Sequence, residues 1–383
     1  MLNRSGAMAA AFRVLALTGM LTAWANGALA HEGHPHTEDD SAGASSAAYL
    51  TLPYLQNVKT DGITIMFELD AQPSATVEYG TTAEYGKIEM TKAIDSGFSS
   101  RIYKCVLTGL RAGTTYHYRV VQDGTDFTGD RTFTTAPDTP VPFSFGVWSD
   151  SQGNNHGAYP GDVLEPTKTM MAHMATSGVS FGVTCGDLAE DGSAYQDTRD
   201  FYLDRVAKYL GQKVPWFVAW GNHDKDRSSV IRKFADMPSK DREGFDPGWG
   251  SFSFDYAGCH FICIDDNTKD ADIADWVESD LKSAANQAAK FTFLFIHVPP
   301  YCELWIDGDA GLRGNLVPLV QQYGVDVVFS GHTHEYERGY KEHVHYIIPV
   351  ARVGWTWRSR SSRTGSTCSS VALRTFRASS MVW

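Results

Sequence analysis

Five apolar runs after residue 142 of this sequence each end in residues able to hold a metal or a proton, and that pattern constrains the fold most. Phe143–Trp148 leads into Asp150 and Gln152, Phe181–Cys185 into Asp187, and Trp216–Trp220 into Asn222, His223 and Asp224. Phe291–Ile296 leads into His297, and Val325–Phe329 into His332 and His334. Continuous apolar runs such as these, with His260–Ile264, suit strands buried on both faces and covered by helices. The intervening segments carry helical spacing. Phe201, Tyr202, Val206, Tyr209 and Leu210 make one stripe; Leu316, Val317, Leu319, Val320 and Tyr323 make another, with Gly324 placed to cap it. The intervals 150–187, 187–222 and 297–332 are each 35–37 residues, about one crossover unit. In open α/β sheets ligands sit beyond the carboxyl ends of the strands, so the five loops can converge on one site. A lone His or Gly-Asp after a strand is ordinarily structural; the ordered set with its His-x-His pair is the signal.

Ahead of this unit, the stretch from Leu52 to about Ala136 alternates with period two. In GITIMFEL, Ile63, Ile65, Phe67 and Leu69 share one face; in TYHYRVV, Tyr116, Tyr118 and Val120 do. Gly, Pro and Asp clusters every ten residues or so complete the pattern of an antiparallel sandwich. The segment from Leu107 to Tyr118 resembles the corner of a fibronectin type III domain, where a Leu plugs the core, a Gly turns the chain and a Tyr folds back onto the backbone. This unit, 51–137, carries no cluster of His, Cys or paired carboxylates, so it reads as a packing module, with carbohydrate or protein binding as the alternative. Pro-punctuated residues 136–142 form a stiff boundary before the second unit, 143–349.

The ends of the chain read differently. Residues 1–30, with Arg4 and Arg13, an apolar stretch from Val14 to Ala25 and Ala28-Leu29-Ala30, have the form of a secretory signal peptide cleaved after Ala30. The expected location is secreted or periplasmic. No later run is long enough to cross a bilayer, and no membrane partner is expected. Residues 31–50 read as a disordered leader whose His31, His34 and His36 are solvated. Residues 350–383 hold six Arg, eight Ser and no Asp, Glu or Lys, without strand or helix periodicity. They are expected to be an aberrant or disordered basic tail, leaving the second unit without its last strands. Six cysteines with no CxxC pair argue against a zinc ribbon; Cys185, Cys259 and Cys263 lie in apolar runs, and disulfide pairing stays open.

Charge narrows the function. The chain has 33 Lys+Arg against 45 Asp+Glu, a net −12. The eight Arg of the signal segment and tail mask a still more acidic interior, −20 over residues 31–349. That excludes a broad basic face for nucleic acid. An acidic protein that acts on an anion needs metal ions or a local basic pocket to offset its own field, and the −20 makes a basic groove the weaker of the two.

In order and composition, the second unit is similar to the calcineurin-like metallophosphoesterases, and within them to the purple acid phosphatases. His332-Thr-His334-Glu-Tyr336-Glu-Arg338 and His297-Val-Pro-Pro-Tyr301 look most like that branch, which often carries a fibronectin-like domain ahead of the catalytic one. The resemblance implies an all-β sandwich followed by an α/β metallophosphoesterase domain with mixed sheets. It implies two metal ions, of Fe, Mn or Zn. Asp187 would bridge them; Asp150 and His334, with the Gln152 amide oxygen, would hold the first, and Asn222, His297 and His332 the second. His223 would donate the proton to the leaving group, with Asp224 orienting it. A hydroxide on the metals would attack a small phosphate ester, a monoester in the leading reading. The alternatives are a phosphodiesterase on the same centre or a metal-binding protein without catalysis; oligomeric state is not legible. Two positions depart from the branch. Glu190 stands where it has a Tyr, so the visible colour and the Fe(III) preference are not expected, and Gln152 stands where the branch has a small residue.

Overall fold

The structure, a computed structural model, describes residues 49–70, 74–153, 164–226, 228–238, 250–303, 307–349 and 375–377. The expected signal segment, nearly all of the leader, and most of the basic tail lie outside the described residues. No helix among the described residues is long and apolar enough to cross a membrane.

The period-two segment forms β1 (Tyr49–Gln56), β2 (Ile63–Leu69), β3 (Ala75–Gly80), β4 (Lys87–Met90), β5 (Lys92–Asp95), β6 (Arg101–Leu107), β7 (Thr115–Gln122), β8 (Thr125–Asp126) and β9 (Arg131–Thr134). Strands β1-β2-β6-β5 make one layer; β4-β3-β7, with β8 and β9 paired to β7, make the other. Ile63, Ile65, Phe67 and Leu69 pack with Tyr116, Tyr118 and Val120 between the layers, as alternation requires. At the corner Leu107 and Leu110 are buried, and the Arg111 amide donates to the Tyr116 hydroxyl at 3.0 Å. The other face of β2 is buried too, because the second unit covers it: Met66 packs with Tyr54 and Ile102 in a cluster containing Trp148, Leu203 and Trp216.

The second unit is two facing sheets. Strands β10 (Ser144–Trp148), β11 (Phe181–Thr184) and β12 (Trp216–Val218) run parallel in the first. Strands β13 (Phe252–Tyr256), β14 (Cys259–Cys263), β15 (Thr292–Phe295), β16 (Val327–Phe329), β17 (Glu337–Lys341) and β18 (Val344–Ile348) make the second, in the order β13-β14-β15-β16-β18-β17. Its middle four strands are parallel and its two edges antiparallel, so the sheet is mixed. Aromatic rings fill the gap between the sheets: Phe145 meets Phe261 and Phe293 edge-on at 5.3 and 5.2 Å, and Phe217 stacks on Phe254 at 3.8 Å. In the tail, β19 (Thr375–Arg377) pairs antiparallel with β10.

Helices cover the outer faces. Leu164–Met174 and the helical stretch from Asp197 to Gly211 cover the first sheet through Met170, Met174, Tyr202 and Val206. That stretch carries the expected stripe but opens into wide i→i+5 turns at both ends. Asp270–Leu281 and Val317–Tyr323 cover the second sheet, and Gly324, at φ 73°, caps the latter as expected. Cys105, Cys185, Cys259, Cys263 and Cys302 are buried and stand outside any disulfide among the described residues.

The two units share one sheet. Gln56 of β1 pairs in parallel with Trp216 of β12, so the first sheet runs without interruption as β19-β10-β11-β12-β1-β2-β6-β5.

Candidate metal centre

Each expected residue follows directly on a parallel strand: Asp150 and Gln152 on β10, Asp187 on β11, Asn222 and His223 on β12, His297 on β15, His332 and His334 on β16. The loops are tied to one another. Asp150 N–H donates to Gly186 O at 3.0 Å, Gln152 N–H to Asp187 O at 3.0 Å, and Gly331 N–H to His297 O at 2.8 Å. Asp150, Asp187, His332 and His334 adopt left-handed backbone, with φ of 53°, 54°, 70° and 55°. Such conformations cost on the order of 1–3 kcal/mol each in a non-glycine residue and persist only where the surroundings impose them. Gly221 is required by close approach: a Cβ there would strike Asp187 Oδ1 and lie 2.9 Å from the His297 ring.

Asp187, His297 and His332 bring ligand atoms within 4.8 Å of one another. His297 Nε2 lies 3.1 Å from Asp187 Oδ2, 3.1 Å from Asn222 Oδ1 and 3.2 Å from His332 Nδ1, and that Nδ1 is 3.1 Å from Asn222 Oδ1. Asp150 and His334 form a second pair, with Oδ1 and Nε2 3.4 Å apart. Gln152 links His334 to Asp187, its amide nitrogen 3.1 Å from His334 Nε2 and 3.4 Å from Asp187 Oδ2. As placed, Gln152 turns its nitrogen to the centre; a half-turn of the amide presents the oxygen instead. The other six expected ligands therefore gather about Asp187. His297 is fixed by its second ring nitrogen, 2.7 Å from Cys185 O, which leaves Nε2 facing the centre.

The electrostatics fit a cation. Burial opposes a charge on His297, yet Asp187, Asp150 and Asp266 outweigh it and raise its pKa to about 10. Burial and then His297 hold His332 below the ordinary imidazole range. Burial likewise works against ionised Asp187, but His297 and His223 hold its pKa below the usual carboxylate value. Two imidazole nitrogens facing each other at 3.2 Å beside an amide oxygen and a carboxylate need a proton or a metal among them. Carboxylate, amide and imidazole donors suit borderline and hard ions rather than soft ones.

His223 and Asp224 part company. The His223 amide donates to Asp187 Oδ1 at 2.8 Å, and its ring Nδ1 lies 2.6 Å from Glu190 O. The expectation that Asp224 orients this ring is corrected. Its fully buried carboxylate instead accepts the backbone N–H groups of Asp187, Leu188 and Gly221 at 3.0, 2.9 and 2.8 Å. In this tight turn the two neighbouring side chains point apart, so Asp224 fixes the backbone under Asp187. Sequence reasoning missed the Glu190 and Cys185 carbonyls, because backbone acceptors carry no side-chain signal. It also missed Asp266, which accepts the Val298 N–H at 2.8 Å, and Asn267, which donates to Gly221 O at 3.0 Å. Those two follow the apolar run His260–Ile264, a sixth strand end with the same signature.

Residues 149–336 match the family model of the calcineurin-like phosphoesterases, and residues 51–135 match that of the purple acid phosphatase N-terminal domain. Among curated proteins, purple acid phosphatase 18 of Arabidopsis thaliana is 24% identical over 284 residues, covering 70% of this chain and 61% of that protein. Purple acid phosphatase 22 of the same plant is 28% identical over 257 residues, covering 63% and 54%. The chain spans less than two thirds of the length of these relatives. The solved purple acid phosphatase PPD1 from yellow lupin (Lupinus luteus) seeds shares the fold, with a TM-score of 0.66 at 17% identity over 85% of this chain and 69% of that one. Such a family implies a dinuclear metal centre, and the donors around Asp187 fit one. The chain thus carries a calcineurin-like phosphoesterase domain over residues 149–336, preceded by a purple acid phosphatase N-terminal domain over residues 51–135.

Proposed function

We propose that the chain hydrolyses small phosphate esters, phosphomonoesters in the first place, at a dinuclear centre of Fe, Mn or Zn. The observation that carries this reading is the gathering of six further N and O donor residues about one buried carboxylate, Asp187, with the His223 amide bonded to that carboxylate. Asp187 is assigned to both ions, Asp150, Gln152 and His334 to one, and Asn222, His297 and His332 to the other. When bound, the ions supply positive charge for the phosphoryl oxygens and lower the pKa of water.

The chain's own residues do the rest. Cys185 O turns His297 so that Nε2 faces inward, and Asp224 pins the backbone that carries Asp187. Bonding of His223 Nδ1 to Glu190 O leaves Nε2 to deliver a proton to the departing oxygen. His223 is half-buried. The names of the relatives, purple acid phosphatases, agree with this chemistry. The test is turnover of matched aryl phosphate mono- and diesters by protein loaded with each metal in turn. Faster monoester hydrolysis is expected. Faster diester hydrolysis would move the assignment to a phosphodiesterase, and no turnover with both ions bound would leave a metal-binding protein.

A further inference from the structure

Glu68 lies on β2, on the face of the sandwich turned to the second unit, and it is fully buried. Its carboxylate accepts Thr51 Oγ1 at 3.1 Å and Ser100 Oγ at 2.6 Å from its own domain, and the Tyr195 hydroxyl at 2.6 Å from the other. Ser100 Oγ also meets the Tyr195 hydroxyl at 3.1 Å, and the Phe98 ring stacks on that of Tyr195 at 4.1 Å. No basic side chain pairs with Glu68 among the described residues. A buried charge without a counter-ion is a poor adhesive, and apolar side chains such as neighbouring Met66 and Ile102 would join the domains at lower cost. What a carboxylate with three directional donors adds is a fixed position for each of them.

The position it fixes leads to the site. Tyr195 ends the loop that begins at Asp187. Within that loop Glu190 O holds His223 Nδ1 at 2.6 Å, Gly192 N–H donates to His223 O at 2.9 Å, and Gly192 O accepts the Ile231 N–H at 2.9 Å. The chain beyond His223 is held from the same side. Tyr54 donates to Phe234 O at 2.9 Å, Lys233 Nζ to Ser96 O at 2.9 Å, and the Asp236 N–H to Gln56 Oε1 at 2.5 Å. The Asp236 carboxylate takes Thr64 Oγ1 at 2.5 Å and pairs with Lys104. Both segments that carry and anchor His223 are thus gripped by the N-terminal sandwich.

We infer that the N-terminal domain is a positioning device for the proton donor, and that Glu68 is its central positioning residue, acting through Tyr195 and the Glu190 carbonyl on the His223 ring. The link is structural; its consequence for turnover rests on the phosphoesterase reading above. Two mild variants test it. Tyr195→Phe removes one hydroxyl, and Glu68→Gln keeps the shape and removes the charge. In the full chain, metal-free and metal-loaded, hydrogen exchange of the 188–196 and 221–226 amides should quicken about tenfold in both variants, while β3 and β7 stay as in the wild type. The kcat for an aryl phosphate should fall on the order of 10- to 100-fold at unchanged KM and metal content, the cost of a misplaced group. Unchanged exchange over 188–196 in both variants would overturn the inference. So would a loss of activity that follows loss of metal or uniformly faster exchange, since that marks mere destabilisation. If the wild type hydrolyses no ester, the exchange data still decide the link, and only the proposed function falls.

Discussion

Left-handed backbone at Asp150, Asp187, His332 and His334 lets successive residues of one loop face the same centre, at a strain that the cross-loop hydrogen bonds sustain. The pKa of about 10 at His297 means that the metal-free centre holds a proton there near neutrality. A coordinating imidazole is neutral, so loading at pH 7 should release close to one proton, and metal affinity should weaken about tenfold for each unit of acidification. Calorimetric titration in two buffers of different ionisation enthalpy reads this directly; zero release would show that His297 is already neutral in the metal-free centre. Replacing the family's Tyr by Glu190 leaves no phenol at that position, so the loaded protein should lack a strong visible charge-transfer band, which an absorption spectrum checks. At this scale the sequence was legible where a side chain bears the chemistry. Asp224 shows the limit: its neighbour in sequence is His223, but its partners are three amides, one of them 37 residues away.

Secondary-structure elements bring these residues together because every ligand loop starts at the carboxyl end of a parallel strand, and apolar runs mark those ends in the sequence. The strand ends were therefore readable, whereas the widened turns between Asp197 and Gly211 were not, since the stripe there still fits a regular helix. One ion triad joins strand to helix. Buried His260 on β14 lies 2.6 Å from Asp255 on β13 and 2.6 Å from Asp280 of the Asp270–Leu281 helix, and Asp280 also accepts Ser253 Oγ at 2.8 Å. Burial opposes the imidazolium, but the two carboxylates outweigh it and raise the His260 pKa. The stabilisation is therefore fully present below the unfolded value of about 6.5 and fades as pH rises through the raised folded value. Urea melts across pH should show that alkaline loss. His260→Gln should cost about 3–5 kcal/mol at pH 6 by leaving Asp280 buried and unpaired, and should flatten the profile.

Across the whole molecule, the Pro-rich boundary at 136–142 separates two families of sequence pattern but not two bodies. One sheet and one apolar cluster run through both. That continuity could not be read from the sequence, because the pairing that creates it joins Gln56 to Trp216, far apart in the chain. Its one trace is Met66, an apolar residue on the polar side of the β2 alternation. Shared packing predicts a single unfolding transition with equal calorimetric and van't Hoff enthalpies; two resolved transitions would show that the domains fold separately. Trp216, fully buried against Tyr54 and bonded through its indole N–H to the Tyr202 hydroxyl at 2.9 Å, is the keystone. Trp216→Ala should cost about 3–5 kcal/mol in that one transition.

The central claim is a two-metal centre served by His223, and it is tested most directly by measuring metal content and aryl phosphate turnover together in the wild type and in His223→Ala. The account predicts about two ions per chain in both proteins, with kcat lower by roughly 10²–10⁴ in the variant. Loss of an ion from His223→Ala would make His223 a ligand, and equal turnover in the two proteins would contradict its role as proton donor.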